Sequence, residues 1–492
     1  MTRKLKILLA ASEIVPFAKT GGLADVAGSL PKALADLGHD VRAIMPLYRG
    51  IVPEDAAPDI VERAIPIIIE GVEYCGALRR GCYPGTDIPV YFVDFRKFFE
   101  REGIYQSGPK GFADNLERFS FFSRFALESL RRLDWRPDII HCNDWQTALM
   151  CAHLKTTLSD DPFFASVATV FTIHNLAFQG LCPSEQFPLT GLDEKQFDTN
   201  GLEFHGQVNL MKAGLIFADI INAVSEQYSR EIQTPEFGCG LEGLLASRGD
   251  DLYGVLNGID YDVWNPATDS LIPANYSPDD LSGKETCKRD LQARSNLPQI
   301  NAPLFGTISR LADQKGFDLL KEIAADFLAE DVQFVLLGTG EPEYHEFFES
   351  LAAGFPEKVA VNLTFDNTLA HQIEAGADIF LMPSRFEPCG LNQLYSLKYG
   401  TLPLVRKTGG LADTIVDADA PAGPDRSPNG FVFDRYDSGA LLATIKRAIA
   451  LYRDRDAWHK LQRTGMEQDF SWARSARRYT TLYEKAIAKR RV

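Results

Sequence analysis

The sequence lacks paired cysteines, long apolar runs and any excess of positive charge. Its eight cysteines are scattered and none forms a CxxC pair, so neither a zinc site nor a thioredoxin-like motif is predicted. We expect free thiols in a reducing cytosol and therefore a cytoplasmic protein. No apolar stretch approaches the about 18 residues that a membrane span needs. The net charge of −16 argues against a nucleic-acid-binding protein, which usually presents a basic face.

The first residues, MTRKLKILLAAS, resemble a secretion signal only in part. The apolar run covers Ile7 to Ala11, and Glu13 follows it. A signal needs about seven to fifteen apolar residues. We therefore expect a buried first strand here.

The composition and the order of apolar runs predict two α/β domains. Hydrophobic residues make up 45% and charged residues 24% of the 492 residues, which suits a soluble protein with more than one core. Short apolar runs alternate with helical segments, a pattern typical of a doubly wound parallel sheet. The pattern restarts after a crossing near residues 250–256. The periodicity leaves open which domain receives the last helix.

One heptapeptide, KTGGLAD, begins at Lys19 and again at Lys407. Each copy follows a predicted strand and opens a predicted helix, at the sheet edge where open α/β proteins bind ligands. Paired glycines let a ligand approach the backbone, and amides at the start of a helix favour negative charge. A tight turn into a helix explains one copy equally well. The repetition favours a shared ligand.

Charged and aromatic side chains follow several strands. Arg310 and Lys315, in SRLADQKG, suit a diphosphate, although solvated loop cations are the simpler alternative. Glu387, in SRFEPCGL, suits sugar hydroxyls or a developing positive charge. His174 ends the strand of FTIHN, where a structural histidine is equally consistent. Asp144 and Trp145, in HCNDW, suit a sugar ring, although an indole packed in the core is also consistent.

Two motif matches are set aside. GCGLEG, from Gly238 to Gly243, fits GxGxxG, but no strand leads into it and no βαβ unit surrounds it. The acidic pair Asp417 and Asp419, in DAD, resembles the metal-binding DxD of some glycosyltransferases. It lies in a polar loop, where aspartate commonly sits in turns.

The motifs together resemble those of the bacterial glycogen synthase and plant starch synthase family. The resemblance runs from SEIVPFAKTGGLADV through FTIHNLAFQG, VLNGID and SRFEPCGLNQLYSLKYGTLPLVRKTGGLADT to DFSW, and it covers nearly the whole chain. It implies the GT-B fold, with two Rossmann-like doubly wound domains facing across a deep interdomain cleft. The domains would be 1–253, completed by a C-terminal helix 470–492, and 254–469.

The resemblance also implies a function and a set of residues. The enzyme would transfer glucose from ADP-glucose, with retention, to the non-reducing 4-hydroxyl of an α-1,4-glucan such as glycogen or a maltooligosaccharide primer, with no metal, cofactor, nucleic acid or membrane. The N-terminal domain would hold the acceptor and the C-terminal domain the nucleotide sugar. The implied catalytic residues are His174, Arg310, Lys315 and Glu387. The implied donor-binding residues are Lys19, Gly22, Asp25, Phe365, Cys389, Gly390, Leu391, Asn392, Gly409 and Gly410. The implied acceptor-binding residues are Glu13, Asp144, Trp145 and Asn257.

The chain departs from the family pattern at a few positions. Many relatives have threonine at Asn392 and tyrosine at Phe365, which concerns nucleotide contacts. A related glycosyltransferase family has a second glutamate at Tyr395. Asn143 and Gln146 replace histidines that are common around the Asp-Trp pair, which concerns acceptor contacts.

Other functions fit the sequence less well. A carbohydrate-binding protein would need no diphosphate-binding cations, and a nicotinamide-dependent oxidoreductase would need GxGxxG after its first strand. An epimerase with the GT-B fold would have little use for the Asp-Trp pair. The sequence does not decide between ADP-glucose and UDP-glucose as the donor, or between glycogen and a starch-like product. It also leaves open the primer length, the regulation and the oligomeric state.

Overall fold

Buried apolar runs form the strands of two parallel sheets in the computed structural model. The structure describes residues 3–51, 58–108, 110–421, 423 and 427–490. The chain divides into two compact units, which are described separately below. Unit 1 comprises residues 1–258 and 472–492, and unit 2 comprises 259–471. The chain therefore passes between the units a few residues beyond the crossings near 253 and 470.

Unit 1 contains a nine-stranded sheet, in the order β12-β11-β7-β6-β1-β2-β5-β4-β3. Seven strands are parallel, and the β3–β4 hairpin adds antiparallel strands at one edge. Three short strands, β8 to β10, form a separate antiparallel sheet. The strands are β1 Lys6–Ala10, β2 Asp40–Pro46, β3 Asp59–Ile69, β4 Val72–Cys82, β5 Pro89–Asp94, β6 Ile139–Asn143, β7 Ala168–Ile173, β8 Leu181–Pro183, β9 Glu203–Phe204, β10 Gln207–Asn209, β11 Ile220–Ala223 and β12 Leu252–Gly254.

Helices cover this sheet. They are α1 Gly22–Asp36, α2 Arg96–Phe99, α3 Asn115–Arg132, α4 Ala148–Lys155, α5 Leu210–Phe217, α6 Glu226–Glu231 and α7 Glu242–Ser247. Helix α1 ends before Gly38, which adopts φ 91° in the left-handed region that glycine favours. Strands β6 and β7 are buried along their whole length, as strands of a parallel sheet covered on both faces should be.

Unit 2 contains a six-stranded parallel sheet in the order β15-β14-β13-β16-β17-β18. Its strands are β13 Leu304–Ile308, β14 Gln333–Leu337, β15 Val359–Asn362, β16 Ile379–Met382, β17 Leu402–Arg406 and β18 Phe431–Phe433. Its helices are α8 Ser282–Arg294, α9 Phe317–Ala329, α10 Pro342–Gly354, α11 Asn367–Gly376, α12 Asn392–Lys398, α13 Gly409–Thr414, α14 Ser438–Tyr452 and α15 Arg455–Glu467. Both units are doubly wound, which confirms the predicted fold class.

The last helix, α16 Trp472–Arg490, belongs to unit 1. Its buried tyrosines reach polar side chains of the central strands. The hydroxyl of Tyr483 lies 2.9 Å from His141 Nδ1, and Asn222 Nδ2 donates to the hydroxyl of Tyr479 at 3.1 Å. The docking of α16 is therefore specified by hydrogen bonds as well as by apolar packing. No described helix is both long and apolar enough to cross a membrane.

Candidate active site

The first glycine turn is organised by Glu13, just after β1. The Glu13 carboxylate is buried and accepts from the hydroxyl of Thr20 at 2.7 Å, from the amide of Gly21 at 3.3 Å and from the amide of Thr20. Tyr105 also donates its hydroxyl to this carboxylate. Glu13 therefore holds the turn in shape.

The turn leads into α1 with its glycines open. A side-chain carbon added at Gly21 or Gly22 would meet no atom within 4 Å. No hydrogen bond reaches the amides of Gly22 and Leu23 in the described part of the chain, as expected for the first turn of a helix. Lys19 pairs with Asp25 at 2.7 Å. The amides of Gly22 and Leu23 and the ammonium group of Lys19 can donate hydrogen bonds to an anionic ligand.

Asp25, in the first turn of α1, is largely buried. Burial raises the pKa of its carboxyl, and Lys19 opposes the rise. The ion pair thus sets the orientation of Lys19.

Asp144 lies at the turn after β6, with φ 55°. Its Oδ1 accepts from the backbone amide of His174 at 2.7 Å, which joins the ends of β6 and β7. Burial raises the pKa of Asp144 to about 7, and hydrogen bonds from the amides of His174 and Asn175 oppose the rise. The site thus holds a carboxyl that titrates near neutral pH.

His174 is 9% exposed at the end of β7. Its Nε2 lies 2.9 Å from Asn143 Oδ1. Burial lowers the pKa of the imidazole to about 3, so the ring is neutral. A neutral ring can hydrogen-bond an uncharged hydroxyl.

Trp145 is half-buried, and its ring packs edge-on against Phe119 with centroids 5.0 Å apart. The ring of Tyr105 lies 6.2 Å away. Asn257 is buried, but no contact between it and Glu13, Asp144 or Trp145 occurs within the described ranges. The structure therefore connects Glu13 with Lys19 through the glycine turn, and Asp144 with His174 through a hydrogen bond. Asn257 contacts none of these residues in the described ranges.

In unit 2, Glu387 and Lys315 meet at the carboxyl ends of β16 and β13. Lys315 Nζ lies 2.7 Å from Glu387 Oε2, and the hydroxyl of Ser384 donates to the same oxygen at 3.0 Å. Gly316 follows Lys315 with φ 74°, and a side chain there would meet the carbonyl of Pro383. The close approach of the backbone at Gly316 to Pro383 thus fixes the position of Lys315.

Arg310 is the neighbouring cation. Its guanidinium donates to Gln314 Oε1 at 3.3 Å, and no carboxylate pairs with it in the described ranges. An exposed arginine without a carboxylate partner is available to a phosphate.

The second glycine turn differs from the first. A side-chain carbon at Gly409 would lie 2.0 Å from the carbonyl oxygen of Glu387, and one at Gly410 would lie 2.0 Å from that of Cys389. The amide of Gly410 donates to the Glu387 carbonyl at 3.1 Å. These glycines are thus required by close packing of the backbone against the segment 387–389. Ligand contact at Gly409 and Gly410 stays a prediction.

The segment from Cys389 to Asn392 leads into α12. Gly390 has φ 71°, and Gln393 donates to the carbonyls of Cys389 and Gly390 at 3.0 Å each. Asn392 donates to the carbonyl of Ile308 at 2.5 Å, which ties the start of α12 to the end of β13. Leu391 packs against a small apolar cluster with Ile259, Leu394 and Tyr395. Asn392 thus has a structural use in this chain.

Phe365, in the loop after β15, is 82% exposed, and a phenyl ring this open offers a face to a planar group such as a nucleotide base.

Two protein-family models match this chain. A family model described as starch synthase catalytic domain matches residues 6–247, and one described as glycosyl transferases group 1 matches 288–464. Glycogen synthase 2 of Geobacter sulfurreducens is 48% identical over 488 residues, covering 99% of this chain and 100% of the relative. The chain belongs to the glycogen and starch synthase family. Glycogen synthase of Moorella thermoacetica is 48% identical over 493 residues, covering 100% of this chain and 99% of that one.

A solved starch synthase structure shares the fold. The catalytic domain of starch synthase IV from Arabidopsis thaliana, bound to ADP and acarbose, aligns with a TM-score of 0.89 at 36% identity, covering 99% of this chain and 100% of that one. The GT-B assignment of this synthase family member is therefore confirmed.

The motifs set aside have structural explanations. Arg447 pairs with Asp417 through both guanidinium nitrogens, at 2.6 and 2.7 Å, and with Asp419. No three His, Cys, Asp or Glu side chains in the described ranges gather into a possible metal site. In the stretch GCGLEG, α7 begins at Glu242 with no strand leading into it.

Three residues that hydrogen-bond to the predicted side chains were not themselves predicted as site residues. Tyr105 comes from a loop without a motif, and Ser384 and Asn143 lie inside quoted motifs without an assigned role. Tyr395, at the position of the second glutamate in a related family, stacks on Trp264 with centroids 4.0 Å apart. Gln146 is buried, and its Oε1 has no partner in the described ranges.

Proposed function

We propose that this synthase transfers glucose from ADP-glucose, with retention of configuration, to the non-reducing 4-hydroxyl of an α-1,4-glucan. The observation that carries the proposal is the cluster of Lys315, Glu387 and Ser384 at the sheet edge where open α/β units bind ligands. Arg310 follows the same strand as Lys315, and no carboxylate pairs with it in the described ranges. Two cations suit a diphosphate leaving group, and a carboxylate suits the sugar. The full-length relation to glycogen synthases supports this substrate class.

Each unit receives a role in this proposal. Unit 2 binds the donor through Arg310 and Lys315 at the diphosphate, Phe365 at the base, Glu387 at the glucose, and the segments 389–392 and 409–410. Unit 1 supplies Lys19, Gly22 and Asp25 toward the diphosphate and His174 toward the glucose. Asp144, Trp145, Asn257 and Glu13 are assigned to the acceptor, Glu13 through the turn that it holds.

In this proposal, the configuration is retained because the acceptor attacks from the face that the diphosphate leaves. The bond between C1 of glucose and the diphosphate oxygen breaks as the acceptor O4 bonds to C1 on the same face. The acceptor proton passes to the departing diphosphate, and ADP leaves. Arg310 and Lys315 stabilise the charge that grows on the leaving group. Because Glu387 is held by Lys315 and Ser384, we assign it to binding the sugar and stabilising its positive charge.

We place the enzyme in the cytoplasm with no metal or cofactor. All eight cysteines lie in the described ranges and are free thiols, which is typical of proteins in a reducing compartment.

The test compares two donors. The chain is incubated with a maltooligosaccharide and either ADP-glucose or UDP-glucose, and nucleotide release and chain growth are measured. We expect a higher kcat/KM with ADP-glucose, and Glu387→Gln serves as the impaired control. A higher kcat/KM with UDP-glucose would overturn the donor assignment, and nucleotide release without chain growth would overturn the acceptor.

A further inference from the structure

Asn143, the last residue of β6, is fully buried between β1 and the end of β7. Its Nδ2 donates to the carbonyl of Ala10 at 3.0 Å and to that of His141 at 3.3 Å. Both partners are carbonyl oxygens, which only accept hydrogen bonds. The amide of Asn143 therefore has one orientation, because the flipped form would place Oδ1 against two other oxygens.

This orientation determines the proton on His174. Asn143 Oδ1 faces His174 Nε2 at 2.9 Å, and an amide oxygen can only accept. Nε2 therefore carries the hydrogen. Because the ring is neutral, Nδ1 keeps a bare lone pair, and it bonds to no side chain or amide in the described ranges.

We propose that Asn143 is a positioning residue that fixes the Nε2–H tautomer of His174, so that Nδ1 accepts a hydrogen bond from a hydroxyl of the transferred sugar. The inference rests on the proposed function, in which His174 holds the glucose. With the opposite tautomer, Nδ1 would donate, and an imidazolium would donate from both nitrogens. Only the Nε2–H tautomer offers a hydroxyl donor an acceptor at this point.

The surrounding charges favour the neutral ring. Asp144 accepts from the backbone amide of His174, and its own carboxyl resists ionisation up to about pH 7 because it is buried. A positive charge on His141 of β6 would repel one on His174. The backbone amide of Leu176 donates to the hydroxyl of Tyr228 of α6 at 2.9 Å, and this phenol is neutral because burial raises its pKa. No charged side chain in the described ranges pairs with the His174 ring.

The position can be varied chemically. Asn143→His restores the residue that is common in relatives, and a neutral imidazole can accept from His174 while donating to one carbonyl, so this variant should keep the tautomer. Asn143→Asp also accepts from Nε2, but its negative charge raises the pKa of His174 and favours the imidazolium. Asn143→Leu removes the acceptor.

The experiment is nitrogen-15 NMR of histidine-labelled apoprotein, with the His174 signals assigned by their loss in His174→Gln. We expect a pyrrole-type Nε2 and a pyridine-type Nδ1 across pH 6 to 9 in the wild type and in Asn143→His. In Asn143→Asp the ring should titrate toward the imidazolium, and kcat/KM should gain an acidic limb at the same pH. Asn143→Leu should lose about tenfold in kcat/KM, the size of effect expected when the one hydrogen bond that orients the His174 ring is removed.

Two outcomes contradict the inference. A protonated Nδ1 in the wild type would overturn it, as would an Asn143→Leu enzyme with the kcat/KM of the wild type. If the variants misfold, the wild-type tautomer spectrum alone still decides. Failure of the proposed function is distinguishable, because the wild type would then turn over no ADP-glucose whatever its tautomer.

Discussion

Two polar residues of the candidate active site, Asp144 and His174, lie in buried positions at the ends of β6 and β7. Burial disfavours the charged form of each side chain. The neutral state of these two side chains is not predicted from the sequence, because burial and the Asn143 contact depend on β1, β6 and β7 lying side by side. The sequence does predict that both residues follow buried strands.

Asp144→Asn should stabilise the protein as pH rises. The folded pKa of Asp144, about 7, lies above the unfolded value of 3.8, so ionisation costs the folded state progressively between about pH 4 and pH 7. Asparagine keeps an oxygen for the His174 amide and has no such cost. The advantage of the variant in thermal midpoint should grow from pH 5.5 to pH 7 and then level off, while activity falls. A gap independent of pH would contradict the assignment.

Arg310→Ala should slow catalysis by about 10²–10³. The reason is that negative charge grows on the diphosphate as the glycosidic bond breaks. The thermal midpoint should be unchanged, because the Arg310 side chain hydrogen-bonds only to Gln314 in the described ranges. Lys321→Ala is the matched control, since Lys321 is an exposed cation of the same unit that pairs with Glu343. Near-normal turnover of Arg310→Ala would remove Arg310 from the proposed mechanism.

Among the secondary-structure elements, the two copies of KTGGLAD have the same sequence but pack differently. The alternating apolar runs predict most parallel strands of both sheets. The β3–β4 hairpin is not predicted, because Asp59–Ile69 contains exposed apolar residues and Pro66. The two KTGGLAD copies predict equal turns, but Gly22 is open whereas Gly410 packs on the Cys389 carbonyl. The second turn packs differently because the segment 387–389, which lies outside the heptapeptide, contacts it.

The two turns should therefore respond differently to alanine. Gly22→Ala should leave the thermal midpoint nearly unchanged and raise KM for the donor, because the added carbon occupies only space reserved for ligand. Gly410→Ala should lower the thermal midpoint, since its side chain would overlap a backbone carbonyl that cannot yield cheaply. Calorimetry and steady-state kinetics of both variants check this. Equal loss of stability in both variants would contradict it.

At the scale of the whole molecule, the chain leaves unit 1, forms unit 2 and returns to complete unit 1 with α16. Tyr479, Tyr483 and Ala476 of this helix are fully buried. The proposed assignment of the acceptor to unit 1 therefore depends on the last residues of the chain. The periodicity predicts the helix but not the unit that it joins, which only the family resemblance implies. Its docking depends on hydrogen bonds to His141 and Asn222 that periodicity does not reveal.

A chain ending at Ser471 should lose protection in unit 1. Hydrogen exchange should accelerate in β6, β7 and β11, which α16 covers, while β13 and β16 of unit 2 keep their protection. Tyr483→Phe, which removes only the hydroxyl that meets His141, is the graded control and should give a smaller change in the same strands. Uniform acceleration in both units would contradict the assignment of α16 to unit 1.

Retaining transfer from ADP-glucose is tested most directly by a proton NMR time course of the chain with ADP-glucose and maltotriose in the presence of EDTA. We expect one ADP released for each new α-1,4-linked glucose at the non-reducing end, with the α configuration present from the first turnover. We also expect full activity in EDTA, because Arg310 and Lys315 neutralise the leaving group. A first-formed β product, or activity lost in EDTA and restored by magnesium or manganese, would contradict it.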